Sequence, residues 1–445
     1  MAHSDLAHAV SEQFPKMVEI LSDLVRIPSV SAAGYPAEPM LRSAEAIRDR
    51  LLSVGFERAE VVEMEGARPA VYGMIPAPPG APTVLLYAHH DVQPPGPAEE
   101  WETAPFEPFE RDGRLFGRGA SDDKSGVIMH LGSVAAFDGR PPVGITVFIE
   151  GEEESGSVNL AGFLDKYAEE LRADVIVIGD AGNWRVGQPA LTTKLRGLAG
   201  CIVEVRTARN AVHSGQFGGV FPDALISLSR VLASLHNDDG SIAVEGLVAG
   251  DTDPLDLTID EIRDQMGTVG GLEELGAGGI TSRLWTQAAI SVLAIDAPPV
   301  AEAINQLVPV ARAKVSMRLA PGQQAHLAMT ALRDHLIESA PWGVEVTILP
   351  VDLGEPFEQE VEGPAAEAWI EAMIAVWGRD PVLMGAGGSI PFVADFAQRY
   401  PEAAILLTGA GDPTSAIHAP NESQNLDDLE KSVLAQAIAF RLLAG

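Results

Sequence analysis

The stretch Val84-Leu85-Leu86-Tyr87-Ala88-His89-His90-Asp91 joins a short apolar run to side chains that can bind metal ions. Three further short apolar runs occur along the chain, at 145–149, 175–178 and 404–407. Strands that are apolar on both faces are typical of a sheet covered by helices. Stretches with helical spacing of apolar residues alternate with these runs, so the sequence predicts an α/β fold. The predicted helices are 40–52, 158–171, 364–376 and 426–443.

The spacing of apolar residues changes between about residues 194 and 354. Here, alternating apolar and polar residues predict strands, which are interleaved with two predicted helices. The predicted strands are 198–206, 288–295, 311–318 and 344–349, and the predicted helices are 221–235 and 324–338. The order β-α-β-β-α-β is that of a self-contained α+β unit. We therefore predict one domain built from residues 1–194 and 355–445, with an inserted domain of residues 195–354.

The charge of the chain restricts its partners. It has 63 acidic and 30 basic residues, a formal net charge of −33. Such a surface repels nucleic acid and anionic membranes, so neither is an expected partner. No apolar run approaches the roughly 20 residues that span a bilayer, and no signal sequence is visible, so we expect a cytoplasmic protein.

The single cysteine, Cys201, lies in an alternating apolar run, which predicts a packed thiol rather than a nucleophile.

Residues that can bind metal follow each of the four apolar runs. They are His89 and Asp91, Glu153 and Glu154, Asp180, and His418, with Asp122 in a separate glycine-bounded loop. In open α/β sheets, function gathers beyond the carboxyl ends of the strands. Taken alone, each of these residues more often lies in a solvated turn or in the core than binds a metal ion. Several carboxylates crowded at the end of a buried sheet would repel one another unless a cation held them. Two histidines with several carboxylates suit zinc, manganese or cobalt.

In their order along nearly the whole chain, these motifs resemble the dinuclear-zinc peptidase family that includes carnosinase, cytosolic non-specific dipeptidase, acetylornithine deacetylase and succinyl-diaminopimelate desuccinylase. The resemblance implies a mixed-sheet catalytic domain with an inserted lid and dimerisation domain. It also implies two divalent metal ions, zinc before manganese or cobalt. The implied ligands are His89, Asp122, Glu154, Asp180 and His418, with Asp122 bridging the two ions. Asp91 is implied to orient His89, and Glu153 to act as the general base.

Two further motifs of the inserted region and the C-terminal part match the same family. His213, in a Gly-rich segment, resembles the histidine that binds the oxyanion in the neighbouring subunit, which implies a homodimer. Arg318 matches an arginine that binds the substrate carboxylate. Gly387, Gly388 and Ser389 match a turn whose backbone N–H groups and serine face that carboxylate.

The resemblance implies a hydrolase, a dipeptidase-like metallopeptidase that cuts the amide bond of a dipeptide or similar small peptide-like substrate. One departure from the pattern keeps an alternative open. Dipeptidase relatives carry Arg-Glu just before the Gly-Gly pair, and that Glu meets the free amino group, whereas this chain has Gly385-Ala386. The alternative is therefore an N-acyl-amino-acid hydrolase of the same family. A non-catalytic protein that keeps the fold is disfavoured because no ligand or base position is lost.

Overall fold

The computed structural model describes residues 3–252, 254–388 and 391–445. The chain divides into two compact units. Unit 1 comprises Met1–Thr193, Glu360–Met384 and Asp395–Gly445, and unit 2 comprises Lys194–Gln359 and Gly385–Ala394. Among the helices described, none is both long enough and apolar enough to cross a membrane.

The helices and strands follow one another through both units. The helices are α1 (Ser4–Val25), α2 (Glu38–Ser53), α3 (Lys124–Ala135), α4 (Leu160–Lys166), α5 (Ser214–Phe217), α6 (Ala224–Ala233), α7 (Ile259–Met266), α8 (Ile280–Trp285), α9 (Ala325–Glu338), α10 (Gly363–Trp377), α11 (Pro391–Arg399) and α12 (Leu426–Ala444). The first strands are β1 (Arg58–Val62), β2 (Ala70–Ile75), β3 (Thr83–His89), β4 (Phe109–Arg111), β5 (Arg114–Phe116), β6 (Gly144–Glu150), β7 (Val175–Ile178), β8 (Ala190–Leu195) and β9 (Gly197–Arg206). The later strands are β10 (Val212–His213), β11 (Ala289–Asp296), β12 (Gln306–Leu307), β13 (Val310–Leu319), β14 (Glu345–Gly354), β15 (Phe357–Glu358), β16 (Val382–Ala386), β17 (Ala404–Leu407) and β18 (Ser423–Asn425).

The main sheet of unit 1 is mixed, and it contains all four of the apolar runs. Its strand order is β1-β2-β6-β3-β7-β17-β8. The central strands β6, β3, β7 and β17 are parallel, whereas β2 and β8 run antiparallel to their neighbours. The carboxyl ends of the four parallel strands therefore meet at one edge. The predicted α/β fold with a mixed sheet is confirmed.

Helices cover the sheet and bury its apolar side chains. Helix α3 is buried along its whole length because it packs on β3 and also against α1 and α12. It begins where the side chain of Asp123 accepts a hydrogen bond from the backbone N–H of Gly126 at 3.1 Å. Helix α12 begins in the same way, with the Asn425 side chain accepting from the N–H of Asp428 at 3.0 Å. The helix predicted at 158–171 is shorter in the structure, where α4 ends at Lys166.

Unit 2 has the predicted α+β architecture. Strands β11, β13, β9 and β14 form an antiparallel sheet in that order, and α6 and α9 pack on it. Alternate residues of β9 and β13, such as Val203 and Val315, are buried in the core of this unit. Cys201 is part of that core, and burial raises the pKa of its thiol to about 11. The expected packed thiol is confirmed.

Candidate metal centre

The parallel strands of unit 1 place the predicted ligands at one edge of the sheet. His89 is the last residue of β3 and is fully buried, and Asp180 follows β7. A turn of 3-10 helix, Glu153–Ser155, follows β6. It ends at Gly156, whose φ of 93° lies in the left-handed region that favours glycine. This turn brings the adjacent Glu153 and Glu154 side chains towards the same site, which an extended strand would not allow.

Asp122 lies between the two predicted histidine ligands. Its Oδ1 is 3.0 Å from His89 Nε2, and its Oδ2 is 2.9 Å from His418 Nε2. Glu154 Oε2 lies 3.2 Å from the same nitrogen of His418. Asp180 Oδ1 lies 3.9 Å from His89 Nε2. The structure thus brings all five predicted ligands together, and the carboxylate predicted to bridge the ions contacts both histidines.

Two groups of donor atoms can each surround one ion. Asp122, Glu154 and His418 form one group, and His89, Asp180 and Asp123 form the other. Asp123 was not predicted from the sequence. Its carboxylate already accepts the backbone N–H groups of His89, at 3.2 Å, and Gly126. These bonds assign Asp123 to the start of α3, whereas the Asp122 carboxylate lies within 3.0 Å of the Nε2 atoms of both histidines.

The ionisation of these side chains is strongly perturbed. Burial raises the pKa of Glu153 to about 7 and that of Asp180 well above its ordinary value. Burial acts in the same direction on Asp122, but hydrogen bonds from His418 and His89 hold its pKa below the usual range. The hydrogen bond to Asp122 raises the pKa of His418 to about 10. Buried carboxylates whose charged form is disfavoured unless a cation binds them, arranged around histidine nitrogens, fit divalent cations.

Asp91 occupies the place expected of a residue that orients His89. It is fully buried, and its Oδ1 lies 3.3 Å from His89 Nδ1. The same carboxylate accepts the backbone N–H groups of Glu153, at 3.2 Å, and of Glu154, at 3.0 Å. Asp91 therefore connects β3 to the turn after β6, a contact that the sequence did not indicate.

Gln93 contacts a predicted ligand although no role was assigned to it from the sequence. Its backbone N–H and side-chain Nε2 donate to the Glu154 carboxylate at 3.1 and 2.7 Å. Gln93 belongs to the stretch Asp91-Val92-Gln93-Pro94, so its position two residues after Asp91 was the available signal. Gln93 fixes the orientation of the Glu154 carboxylate, because its backbone N–H binds Oε1 and its side-chain amide binds Oε2.

The remaining predicted residues belong to unit 2. His213 is exposed in β10, and its Nδ1 accepts the N–H of Gly215 at 3.1 Å. Arg318 lies near the end of β13 and is partly buried. Gly387 and Gly388 follow β16, and Ser389 lies outside the described residues.

Arg196 is a further cation beside this turn that the sequence did not single out. It is only 9% exposed, and its Nε donates to the carbonyl of Gly387 at 3.4 Å. A Cβ at Gly387 would lie 3.1 Å from Arg196 Nη2, so glycine allows this close approach. Burial and the nearby Arg318 lower the pKa of Arg196 to about 10. Within the described part of the chain, no carboxylate forms an ion pair with Arg196.

Comparisons with known proteins identify the family of this chain. Residues 85–439 match the peptidase family M20/M25/M40. The cysteinylglycine-S-conjugate dipeptidase of Corynebacterium striatum is 32% identical, over 95% of this chain and 94% of that protein. The Cys-Gly metallodipeptidase of Schizosaccharomyces pombe is 26% identical, over 97% and 96%. The crystal structure of human carnosine dipeptidase 1 has a TM-score of 0.82 to this chain at 25% identity, covering 99% of each. The motif resemblance is thereby confirmed, and the chain belongs to peptidase family M20/M25/M40.

Proposed function

We propose that this protein is a metal-dependent dipeptidase that hydrolyses the amide bond of dipeptides or similar small peptide-like substrates. The observation that carries the proposal is the position of Asp122 between His89 and His418, with Asp180 and Glu154 beside the two histidines. These five side chains would hold two divalent ions, and we propose zinc, with manganese or cobalt as alternatives. Bound there, such ions would polarise the scissile carbonyl and lower the pKa of a water molecule.

Glu153 is the proposed general base. Its Oε2 lies 4.0 Å from His89 Nε2, next to the proposed ligands. In contrast to Glu154, whose carboxylate accepts from Gln93, the Glu153 side chain accepts no hydrogen bond from the described residues. Its lone pairs are thus available to take a proton from water and to deliver it to the leaving amine.

The names of the relatives support a dipeptide as the substrate. The Corynebacterium striatum and Schizosaccharomyces pombe proteins are both named as dipeptidases that act on cysteinylglycine compounds. In unit 2, the Arg196 guanidinium lies beside the Gly387 turn, and Arg318 lies close enough to Arg196 to lower its pKa. Guanidinium groups bind carboxylates with two parallel hydrogen bonds. We propose that this turn receives the free carboxylate of the substrate.

A second candidate substrate class is N-acylated amino acids. It is favoured by Gly385-Ala386, which provides no acidic side chain for a free amino group. The Arg196 guanidinium donates to the carbonyl of the next residue, Gly387, at 3.4 Å, so a cationic side chain lies beside this segment instead. A cationic neighbourhood does not attract an ammonium group. We therefore expect weak discrimination between free and acylated amino termini.

The proposal includes a cytoplasmic homodimer in which His213 of one subunit completes the site of the other. The hydrogen bond from Gly215 to His213 Nδ1 supports the oxyanion role, because it leaves the ring proton on Nε2. With this tautomer, His213 presents its Nε2–H as a donor to solvent, as a group that stabilises a developing negative charge must.

Turnover on a matched panel tests the proposed function. The panel contains free dipeptides, their N-acetyl derivatives, and their C-terminal amides, each assayed with and without a chelator. We expect the free-carboxylate substrates to be cleaved, the amides to be poor, and zinc, manganese or cobalt to restore activity after chelation. Elemental analysis that finds no transition metal in active protein would overturn the proposal.

A further inference from the structure

Glu422 is a buried residue that joins the loop carrying His418 to the loop carrying Asp122. It is fully buried and lies four residues after His418, immediately before β18. Its backbone carbonyl accepts the N–H of Gly117 at 2.9 Å. This bond continues the antiparallel pairing of β18 with β5, which ends at Ser423 and Phe116.

The Glu422 side chain then binds the loop that follows β5. One oxygen, Oε2, accepts Arg118 Nη1 at 2.7 Å and the N–H of Gly119 at 3.0 Å. The other, Oε1, accepts the N–H groups of Ser121 and Asp122, both at 3.0 Å. Residues 117–122 belong to neither a helix nor a strand, so these backbone donors depend on Glu422 for their partner.

Stability alone is a weak explanation for this buried carboxylate. Removing a carboxylate and a guanidinium from water carries a large free-energy cost, and an apolar pair of similar size is often no less stable. A carboxylate does, however, accept from several directions at once, which an apolar side chain cannot do. Glu422 uses that capacity on three backbone N–H groups of a single loop, ending at Asp122 itself.

The other loop needs such an anchor. The His418 side chain is 54% exposed, and its backbone φ of 62° lies in the left-handed region. Little packing therefore holds His418 at 2.9 Å from Asp122. We propose that Glu422 is a positioning residue, which sets the separation of Asp122 from His418 and thereby the affinity for the ion held by Asp122, Glu154 and His418. This inference rests on the metal centre of the proposed function.

The variant Glu422→Gln tests it. A glutamine amide has one oxygen and one NH₂ group, and in either orientation the NH₂ faces two of the four donors. We expect metal-free protein titrated with zinc against a competing chelator to bind the ion at His89 and Asp180 with the smaller loss of affinity, because Asp122 is a proposed ligand of both ions but His418 of only one. We expect the other ion to bind roughly 10–100-fold more weakly, as is typical when a residue that supports a metal ligand is lost. The visible spectrum of the cobalt-substituted protein reports the same loss without any assay of activity.

Asp428→Asn is the matched control. Asp428 is also a fully buried carboxylate of unit 1, but it accepts from Gly187 and Trp377 instead of the two metal-site loops. We expect this variant to bind both ions like the wild type, even where thermal unfolding of the metal-free protein shows an equal loss of stability. If Glu422→Gln does not fold, Glu422→Asp, which withdraws the carboxylate by one methylene, replaces it in the comparison.

The outcomes separate the inference from the function on which it rests. Wild-type protein that binds fewer than two ions contradicts the proposed metal centre. Wild-type protein that binds two ions, together with a folded Glu422 variant that also binds both with unchanged affinity, overturns the positioning role. An equal loss of affinity at both ions in the Glu422 and Asp428 variants also overturns it, because general destabilisation then explains the effect.

Discussion

The carboxylate of Asp91 accepts the backbone N–H of Glu154, a proposed ligand of one ion, at 3.0 Å. It also contacts His89, a proposed ligand of the other ion. Its other oxygen lies 3.3 Å from His89 Nδ1 and accepts the N–H of Glu153 at 3.2 Å. The residue that orients a histidine ligand on β3 therefore also orients the turn after β6. This contact fixes the position of the proposed base, Glu153, relative to the proposed ligands His89 and Glu154.

Asp91→Asn is expected to weaken metal binding and turnover together. An asparagine NH₂ group cannot accept the hydrogen bond that one Asp91 oxygen now receives, so either His89 or the Glu153–Ser155 turn loses its support. We expect a loss of roughly 10–100-fold in metal affinity or in kcat. Zinc titration and steady-state kinetics on the same preparation measure both. Wild-type values for both would exclude the orienting role.

Glu153→Gln is expected to separate metal binding from catalysis. Glu153 is 4.0 Å from His89 Nε2, whereas Glu154 is 3.2 Å from His418 Nε2. The variant should keep near-normal metal content, because Glu153 is the proposed base and not a ligand. Its kcat should fall by roughly 10²–10⁴-fold. Loss of one ion from Glu153→Gln, with full occupancy in Glu154→Gln, would show that the two roles are reversed.

Ala386→Glu is expected to increase selectivity for a free amino terminus. The side chain would place an acid at the position where dipeptidase relatives carry one, next to the Arg196 contact with the Ala386 carbonyl. The ratio of kcat/KM for a dipeptide to that for its N-acetyl derivative should rise by at least several-fold. Ala386→Gln is the control for size, and it should leave the ratio unchanged. A strong preference for free amines in the wild-type protein would contradict our expectation of weak discrimination.

Mixing of two inactive variants tests whether His213 acts in the partner subunit. A His213→Ala chain keeps Glu153, and a Glu153→Ala chain keeps His213. In a shared-site dimer, each hybrid contains one intact site and one doubly damaged site. Random exchange at equal concentrations makes half of the dimers hybrid, so activity should return to about a quarter of the wild-type value. Mass spectrometry verifies the exchange, and exchanged dimers without activity would place His213 in its own subunit's site.

His130 is expected to make the metal-free protein less stable in mild acid. Its Nε2 donates to the carbonyl of Tyr87, and its Nδ1 accepts from Gln436 Nε2, so the buried ring is neutral. Burial lowers the pKa of His130 from 6.5 to about 4. Because the unfolded chain takes up the proton first, stability is complete above about pH 6.5 and falls as the pH approaches 4. The loss is at most about 1.4 kcal/mol for each pH unit.

Denaturant unfolding of the wild type and of His130→Gln, between pH 4 and 7 and with chelator, measures this contribution. The glutamine amide can still donate to the Tyr87 carbonyl but does not titrate. The difference in unfolding free energy between the two proteins should therefore change with pH over this range. A constant difference would show that His130 does not contribute to acid sensitivity.

The amino-acid sequence predicted most of the fold because its evidence is local. Short apolar runs indicated the buried strands β3, β6, β7 and β17, and alternation indicated those of unit 2. Helix α3 was not predicted, since it is buried on every side and lacks the polar stripe that marks an amphipathic helix.

The sequence by itself determined the family and the five proposed ligands, because motif order and residue type carry that information. Apart from Asp91, the groups that hold the ligands and the Gly387 turn in place were decided only by the tertiary structure. Gln93, Arg196 and Glu422 act on residues far away in the chain, and two of them do so largely through backbone N–H and carbonyl groups. Backbone groups are the same at nearly every position, so no sequence pattern marks the partner that a buried side chain will find. The folded chain defines that partner, and with it the geometry of the site.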